Sequence, residues 1–229
     1  MTGDGVSIPG AGSLGVRETE APELGDRVLL AVDTAIGTSV ALGVGGRVFE
    51  VSSDDPRGHA EAIGGLLAAV FDAAGVPAAA VTGVVAGIGP GPFTGLRVGI
   101  AAAHAFALAR GVPLLPLQGH EAVALEALEG ATSGVRVVQD ARRRELFVTE
   151  FSGLDWAGVP ERSSGPRLVA RADYEAVPNE LWPERIPTGA LVRLASRRLL
   201  SGKDFEPDRA VYLRAPDVKQ PGAPKRVST

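Results

Sequence analysis

A glycine-rich loop, GIGPGPFTGLRVGI at residues 87–100, leads into a helix-like segment and is the stretch best suited to bind an anion. Free N–H groups at a helix N-terminus favour negative charge, so an anion or nucleotide contact is one hypothesis. The loop matches neither a Walker loop, which needs Gly-Lys-Ser/Thr, nor the three-glycine dinucleotide fingerprint. The alternative is a tight strand-to-helix turn whose arginine pairs within the chain. The candidate contact residues are Gly89, Gly91, Thr94, Gly95 and Arg97.

Two aspartates, Asp33 and Asp140, each end an apolar run and precede a polar turn. Such a pair could hold Mg²⁺ between two lobes, as in sugar kinases and actin-like ATPases. Those sites usually have a glycine two residues later, where the backbone approaches phosphate. This chain has Ala35 and Arg142 there. The sequence therefore favours the alternative, in which both aspartates stabilise turns at strand ends.

The residues that bind metals or act as nucleophiles are sparse. The three histidines, His59, His104 and His120, include no pair at the i+3 or i+4 spacing of a helical metal site. The absence of cysteine excludes disulfides, thiolate–metal sites and a cysteine nucleophile. No G-x-S-x-G elbow occurs. The sequence therefore predicts no metal site of its own.

The composition is typical of a globular protein, with 45% hydrophobic residues, 22% charged residues and a formal net charge of −4. No uncharged apolar run is long enough to span a membrane, and no signal peptide is recognisable, so we expect a cytoplasmic protein without membrane association. The one basic cluster, Arg136 with Arg142, Arg143 and Arg144, is more typical of a solvated turn than of a nucleic-acid-binding patch.

Apolar strands alternate with helix-like segments, which predicts an α/β fold. The stretch 28–51 is echoed at 135–152, since each contains a strand ending in aspartate, a polar turn and a second strand. This repeat predicts two related lobes, the second reduced. The expected domains are a disordered leader at 1–26, an N-terminal lobe at 27–132, a reduced C-terminal lobe at 133–218 and a flexible tail at 219–229.

Beyond residue 152 the sequence is rich in proline and arginine and predicts loops. One helix is predicted at 189–201, followed by a last strand-like segment, AVYLRAP. The second lobe is therefore expected to contain few regular elements.

Two predicted helices, 59–75 and 94–111, are largely apolar all round, and in the first only Glu61 and Asp72 are polar on the face opposite the large side chains. In the first helix the large side chains form one stripe, which we expect to pack on a sheet. The other faces carry alanine and glycine where a water-facing helix would carry charge. These faces are predicted to dock on another subunit. The alternative is that alanine serves here simply as a good helix former. The interface candidates are Gly65, Ala68, Ala69, Ala73, Ala102, Ala105 and Ala109.

Four segments resemble the TsaB family of bacterial proteins in type and order. They are LLAVDTA, GPGPFTGLRVGIAAAHAFALA, QDARRRELFVTEF and the late VYLRAPDV. The similarity extends from about Val28 to Val218. It implies an actin/Hsp70/sugar-kinase-like (ASKHA) fold with two lobes, in which Asp33 and Asp140 are vestiges of the lobe-opening aspartates.

The resemblance also implies a role in a complex. TsaB proteins are non-catalytic subunits that pair with TsaD and through it recruit the ATPase TsaE. That complex transfers a threonylcarbamoyl group to N6 of the adenosine beside the anticodon in ANN-decoding tRNAs. The implied partners are thus a TsaD-like protein bound through the N-lobe helices, a TsaE-like ATPase, and tRNA through the complex. A homodimer is possible when the chain is alone.

The related TsaD sequence carries a metal-binding N-H-M-E-G-H motif, which corresponds here to QGHEAV at 118–123. Gly119 and Val123 occupy the two ligand positions, and His120 occupies the position of the methionine. The resemblance therefore implies no metal and no tightly bound cofactor, with ATP or ADP only at the level of the complex. The alternatives are an autonomous ASKHA ATPase or kinase, or a metallopeptidase.

Overall fold

Two β-sheets form the framework of the chain, whose computed structural model describes residues 15–53 and 58–214. The first sheet has the strand order β1-β4-β3-β2-β5-β6 and the second the order β10-β7-β8-β9. The strands are β1 (Arg17–Glu20), β2 (Leu29–Asp33), β3 (Thr38–Val44), β4 (Arg47–Ser53), β5 (Gly83–Gly87), β6 (Leu114–Leu117), β7 (Val135–Asp140), β8 (Glu145–Leu154), β9 (Pro160–Ala170) and β10 (Glu180–Leu181). The helices are α1 (His59–Ala74), α2 (Phe93–Arg110), α3 (Gly119–Leu128) and α4 (Thr188–Ser201).

The two sheets repeat one pattern. In the first, β2, β3 and β4 form an antiparallel meander and β5 lies parallel to β2 on its other side. In the second, β7, β8 and β9 form the meander and β10 lies parallel to β7. This arrangement confirms the α/β, two-lobed ASKHA fold predicted from the sequence, with the second lobe reduced.

The first sheet separates two layers of helices because alternate residues of a strand face opposite sides. Leu30 and Val32 of β2 pack in a cluster with Ile63, Leu66 and Val70 of α1 and with buried residues of α2. Their neighbours Leu29 and Ala31 pack in a second cluster with α3, α4 and the second sheet. Helices α3 and α4 therefore connect the two lobes through one continuous core.

The end of the expected disordered leader is ordered. Residues Arg17–Glu20 pair antiparallel with β4, and a 3-10 turn at Pro22–Leu24 follows. Leu24 is fully buried beside Gly43 of β3, and the Glu23 carboxylate accepts a hydrogen bond from Arg193 Nε of α4 at 2.8 Å. The expectation of disorder is therefore wrong for residues 15–26, because this segment completes the core next to α4. Residues 1–14 and the expected tail at 219–229 lie outside the described residues.

Three further differences concern the second half of the chain. The stretch predicted as loops contains the 11-residue strand β9. The late strand-like segment is not a strand over its described part, 210–214. Helix α4, assigned to the second lobe, packs on β2 and β3 of the first sheet as well as on α3. Its N-terminus is held there by Glu50 of β4, which accepts hydrogen bonds from the Gly189 amide and the Thr188 hydroxyl.

In the described part of the chain, no helix is both long and apolar enough to cross a membrane.

Candidate functional site

The glycine-rich loop joins β5 to α2 and is shaped by close packing on the turn after β2. A Cβ at Gly87 would lie 1.9 Å from Asp33 Oδ2, and one at Gly99 would lie 2.3 Å from Thr34 Oγ1. The Thr34 hydroxyl donates to the Gly95 carbonyl at 2.7 Å and accepts from the Gly99 amide at 3.0 Å. The glycines thus leave room for a neighbouring strand end, which agrees with the tight-turn alternative.

The loop does not place its five candidate residues together. Thr94 and Gly95 line a cleft between the lobes, whereas Gly89 and Gly91 are buried in the turn. Thr94 is not the N-cap of α2, because Pro92 holds that position and no side chain caps the helix.

Arg97 is held on the outer side of α2. Its guanidinium carbon lies 3.7 Å from the centroid of the Phe93 ring, and its Nε donates to the Tyr212 hydroxyl at 3.2 Å. Phe93 and Tyr212 are themselves in contact, with ring centroids 4.8 Å apart. The segment after α4 continues along this loop, since the Val211 amide donates to the Ile88 carbonyl at 2.8 Å. Arg97 therefore joins the loop to the C-terminal segment, and its two partners, Phe93 and Tyr212, are aromatic.

The interlobe cleft has a volume of about 850 Å³. It is lined by the turn after β2, the first turns of α1 and α2, the turn after β7 and residues 183–185. Its charged residues are mixed, with Glu61, Asp140 and Glu184 against Arg142 and Arg185. The cleft could accept a small polar molecule, but its described lining carries no dominant charge.

The two strand-end aspartates occupy equivalent places and make the same turn bond. Asp33 Oδ1 accepts from the Ala35 amide at 2.7 Å, and Asp140 Oδ1 accepts from the Arg142 amide at 2.9 Å. Asp140 lines the cleft and is half exposed, whereas Asp33 is fully buried and does not line it. The structure therefore does not bring the two carboxylates to one face as a Mg²⁺ pair.

Asp33 is a buried carboxyl group with one oxygen, Oδ2, that makes no hydrogen bond. Burial raises the pKa of Asp33 to about 6, and the Ala35 amide offsets part of that rise. Between pH 4 and pH 6 the native state thus binds more protons at this site than the unfolded state. The contribution of Asp33 to stability is therefore lost as the pH rises through about 6.

We predict that Asp33→Asn gains stability relative to the parent chain as the pH rises. The amide cannot ionise, so the variant avoids a cost of about 3 kcal/mol that the parent carries at pH 7, at about 1.4 kcal/mol per pKa unit. Urea unfolding of both proteins at pH 4 and pH 7.5 measures the difference. Asp140→Asn, in the equivalent but exposed place, should change by no more than about 0.5 kcal/mol at either pH. A pH-independent difference for Asp33→Asn would contradict the prediction.

His120 of α3 is buried between the lobes. Burial lowers the pKa of His120 to about 4, so the imidazole is neutral at neutral pH. Its Nε2 lies 3.0 Å from Gln139 Oε1, which can only accept, so Nδ1 accepts from the Thr149 hydroxyl at 2.7 Å. Gln139 in turn donates to the Ala35 carbonyl of the first lobe. His120 thus connects α3, the second sheet and the turn after β2.

The two positions that correspond to metal ligands, Gly119 and Val123, are packed against apolar side chains. Gly119 supplies no ligand atom, and a Cβ there would lie 3.1 to 3.2 Å from three side-chain carbons of Ile186, so a larger residue would require Ile186 to shift. Val123 is buried in the core cluster of α3 and α4. Among the described residues, no three His, Cys, Asp or Glu side chains are placed to hold a metal ion. The residues at 118–123 therefore do not fit the metal of the related motif.

Glu121 is the centre of a charge network that the sequence pattern did not indicate. Its carboxylate is 2.5 Å from Arg162 Nη2 of β9 and 3.0 Å from Arg198 Nη2 of α4. Arg162 also contacts Glu206 at 2.7 Å. Burial raises the pKa of Glu121, and the two guanidiniums offset part of the rise. The segment GHEAVALEAL contains two glutamates, Glu121 and Glu126, and its sequence does not indicate which of them is buried.

The outer faces of α1 and α2 are exposed to solvent in the single chain. Of the interface candidates, Gly65, Ala68, Ala73, Ala105 and Ala109 are exposed. Leu108 lies on the same face of α2 and is 85% exposed. Ala69 and Ala102 are instead half-buried and pack against the core under the two helices. The exposed face is therefore mostly apolar, with Glu61, Asp72 and His104 as exposed polar residues, and it lies beside the stacked rings of Phe71 and Phe106.

Comparison with known proteins identifies the family. The family model of TsaD, described as tRNA N6-adenosine threonylcarbamoyltransferase, matches residues 44–160. This chain belongs to the TsaD family. An uncharacterized protein of Mycobacterium tuberculosis is 39% identical over 157 residues, which cover 66% of this chain and 68% of that protein. A tRNA N6-adenosine threonylcarbamoyltransferase of Rhodopseudomonas palustris is 41% identical over 81 residues, which cover 35% of this chain and 22% of the transferase.

Two solved structures resemble the fold over most of the chain. YeaZ from Pseudomonas aeruginosa superposes with a TM-score of 0.67 and 27% identity, covering 82% of this chain and 100% of that chain. A second Pseudomonas aeruginosa structure, described as an uncharacterized protein with similarity to peptidase YeaZ, gives a TM-score of 0.70 and 26% identity with the same coverage. Membership of the TsaD family and these YeaZ-like neighbours support a role in tRNA threonylcarbamoyladenosine modification.

Proposed function

We propose that this TsaD-family chain is a TsaB-type subunit without catalytic chemistry of its own. It would pair with a TsaD-like protein and, through that protein, work with a TsaE-like ATPase in threonylcarbamoyl transfer to N6 of adenosine in tRNA. The proposal includes a cytoplasmic location, and it includes homodimer formation when the partner is missing. The YeaZ-like neighbours support it, since they match this chain over their full lengths.

One observation carries the non-catalytic role. The position of the first metal ligand holds Gly119, which has no ligand atom, and the Ile186 side chain lies 3.1 to 3.2 Å from where its Cβ would be. The histidine that follows, His120, is used in a buried bridge between the lobes. The neighbouring Glu121 is held by two arginines. The side chains of His120 and Glu121 thus both have structural partners.

The pairing surface that we propose is the outer face of α1 and α2. Leu108 is exposed together with Ala105 and Ala109, which makes this part of α2 an apolar patch, and small residues allow helices to approach closely. The proposal needs no change in the fold, because the large side chains of α1 already pack on the first sheet.

The test is co-expression with the TsaD-like protein of the same organism, followed by size-exclusion chromatography and a transfer assay. We expect a stable pair, and we expect modified tRNA when TsaE-like ATPase and threonylcarbamoyl adenylate are added. The chain alone should form no modified tRNA. Elemental analysis of the tag-free chain should find less than stoichiometric iron or zinc. Activity of the chain alone, or a stoichiometric metal, would show that the proposal is wrong.

A further inference from the structure

The turn between β7 and β8 contains three successive arginines in a left-handed backbone conformation. Arg142, Arg143 and Arg144 have φ angles of 64°, 54° and 61°. The Glu145 amide donates to the Arg142 carbonyl at 3.1 Å, which makes Arg143 and Arg144 the central pair of a tight hairpin turn. Turns with two left-handed central residues favour Asn-Gly, because a Cβ is strained there. Folding alone does not explain three arginines at this place.

Two more arginines lie at the same corner. The Arg171 amide donates to the Arg144 carbonyl at 2.8 Å, and its guanidinium is 3.5 Å from Asp140. Arg214 forms an ion pair with Glu145 and donates to the Arg142 carbonyl. We call Arg142, Arg143, Arg144, Arg171 and Arg214 the arginine corner.

The arginine corner brings five arginines together in a chain whose net charge is −4. Asp140 and Glu145 form ion pairs with Arg142, Arg171 and Arg214 of the corner. Glu145 is engaged by Arg214, and Asp140 is 4.0 Å from Arg142 and 3.5 Å from Arg171. The side chain of Arg142 is 73% exposed, and Arg143 and Arg144 are exposed too.

We propose that the arginine corner binds the phosphate backbone of RNA, and this inference rests on the proposed function in tRNA modification. Guanidinium groups match phosphate oxygens with two parallel hydrogen bonds, and a hairpin tip presents them away from the protein surface. The corner also borders the interlobe cleft, which Asp140 and Arg142 line. An RNA strand bound there would lie against both lobes.

The decisive variant is Arg143→Asn/Arg144→Gly, which removes two charges and installs the residues that this turn prefers. Binding of an unmodified, ANN-decoding tRNA transcript is measured by fluorescence anisotropy at several salt concentrations. Both the chain alone and the co-purified pair are tested. We expect binding to weaken about tenfold, and the slope of log affinity against log salt concentration to fall by about 2. The variant should melt at or above the temperature of the parent chain.

The matched control is Arg27→Gln/Arg47→Gln, which removes two arginines from the first lobe. We expect its affinity for tRNA to stay within twofold of the parent. Arg143→Gln/Arg144→Gln keeps the side-chain bulk and should weaken binding like the decisive variant, even if the Asn-Gly turn alters the hairpin. Unchanged tRNA binding by both corner variants, or an equal loss in the control, would overturn the inference. So would a parent chain that binds no tRNA alone or in the pair.

Size-exclusion chromatography separates this result from the proposed function. If corner variants lose the TsaD-like partner and keep their RNA affinity, the corner is a protein contact and the inference is wrong. If the parent chain never pairs, the proposed function fails, and RNA binding by the chain alone still decides the role of the corner.

Discussion

Replacing Ala105 or Leu108 with glutamate is expected to abolish co-elution with the TsaD-like partner while leaving the isolated chain folded. Both residues are exposed on the outer face of α2, so a carboxylate there costs the free chain no more than about 0.5 kcal/mol. In an apolar interface the same carboxylate would be stranded without a partner, at a cost of several kcal/mol. A loss of that size moves a tight pair beyond detection at micromolar concentration.

Two comparisons make this result specific. Leu200→Glu places the same charge on α4, at a leucine that is 60% exposed. We expect this variant to co-elute with the TsaD-like partner like the parent chain. Ala69→Glu lies at a half-buried position that packs on the core, so it should lower the melting temperature of the free chain. If Leu108→Glu binds the TsaD-like partner with the affinity of the parent chain, the interface does not include the outer face of α2. Loss of pairing in Leu200→Glu instead would place the interface at α4.

The parts of the fold that the sequence predicted are those with a local cause. Helices α1 and α2 end at Gly75 and Gly111, both left-handed caps, where the sequence predicts helix termination. The equivalence of Asp33 and Asp140 follows from the repeated strand–turn–strand pattern, and both carboxylates make the same bond to the amide two residues on.

The parts that the sequence did not predict depend on distant contacts. Among the described strands, β9 lies at a sheet edge and pairs with β8 alone, so it needs neither apolar alternation nor freedom from proline. Leu24 belongs to a polar segment in the sequence, whereas in the fold its side chain packs beside Gly43 and Val192, which are distant in the sequence. The sequence predicts Arg97 as an anion contact, but its partners are Phe93 and Tyr212. Tyr212 lies near the end of the described chain, so the sequence around Arg97 does not reveal this contact. The local periodicity of apolar residues does not identify such contacts between distant parts of the chain.

Glu121→Gln is expected to lower the free energy of unfolding by about 3 kcal/mol, within the 3–5 kcal/mol range for breaking a buried ion pair. The parent network is neutral, because Glu121 and Glu206 balance Arg162 and Arg198. The amide removes one negative charge and leaves an uncompensated, largely buried guanidinium. For a domain of this size, the melting temperature should fall by about 6–12 °C, measured by circular dichroism.

The control on the same helix is Glu126→Gln, whose side chain is 46% exposed and should change stability by no more than about 0.5 kcal/mol. Glu121→Gln/Arg198→Gln restores neutrality, since Arg162 and Glu206 remain as a pair. It should therefore recover at least half of the lost stability. If the single variant melts like Glu126→Gln, the network does not hold β9 and α4 on α3. If the double variant is less stable than the single one, hydrogen bonding rather than charge balance stabilises this part of the core.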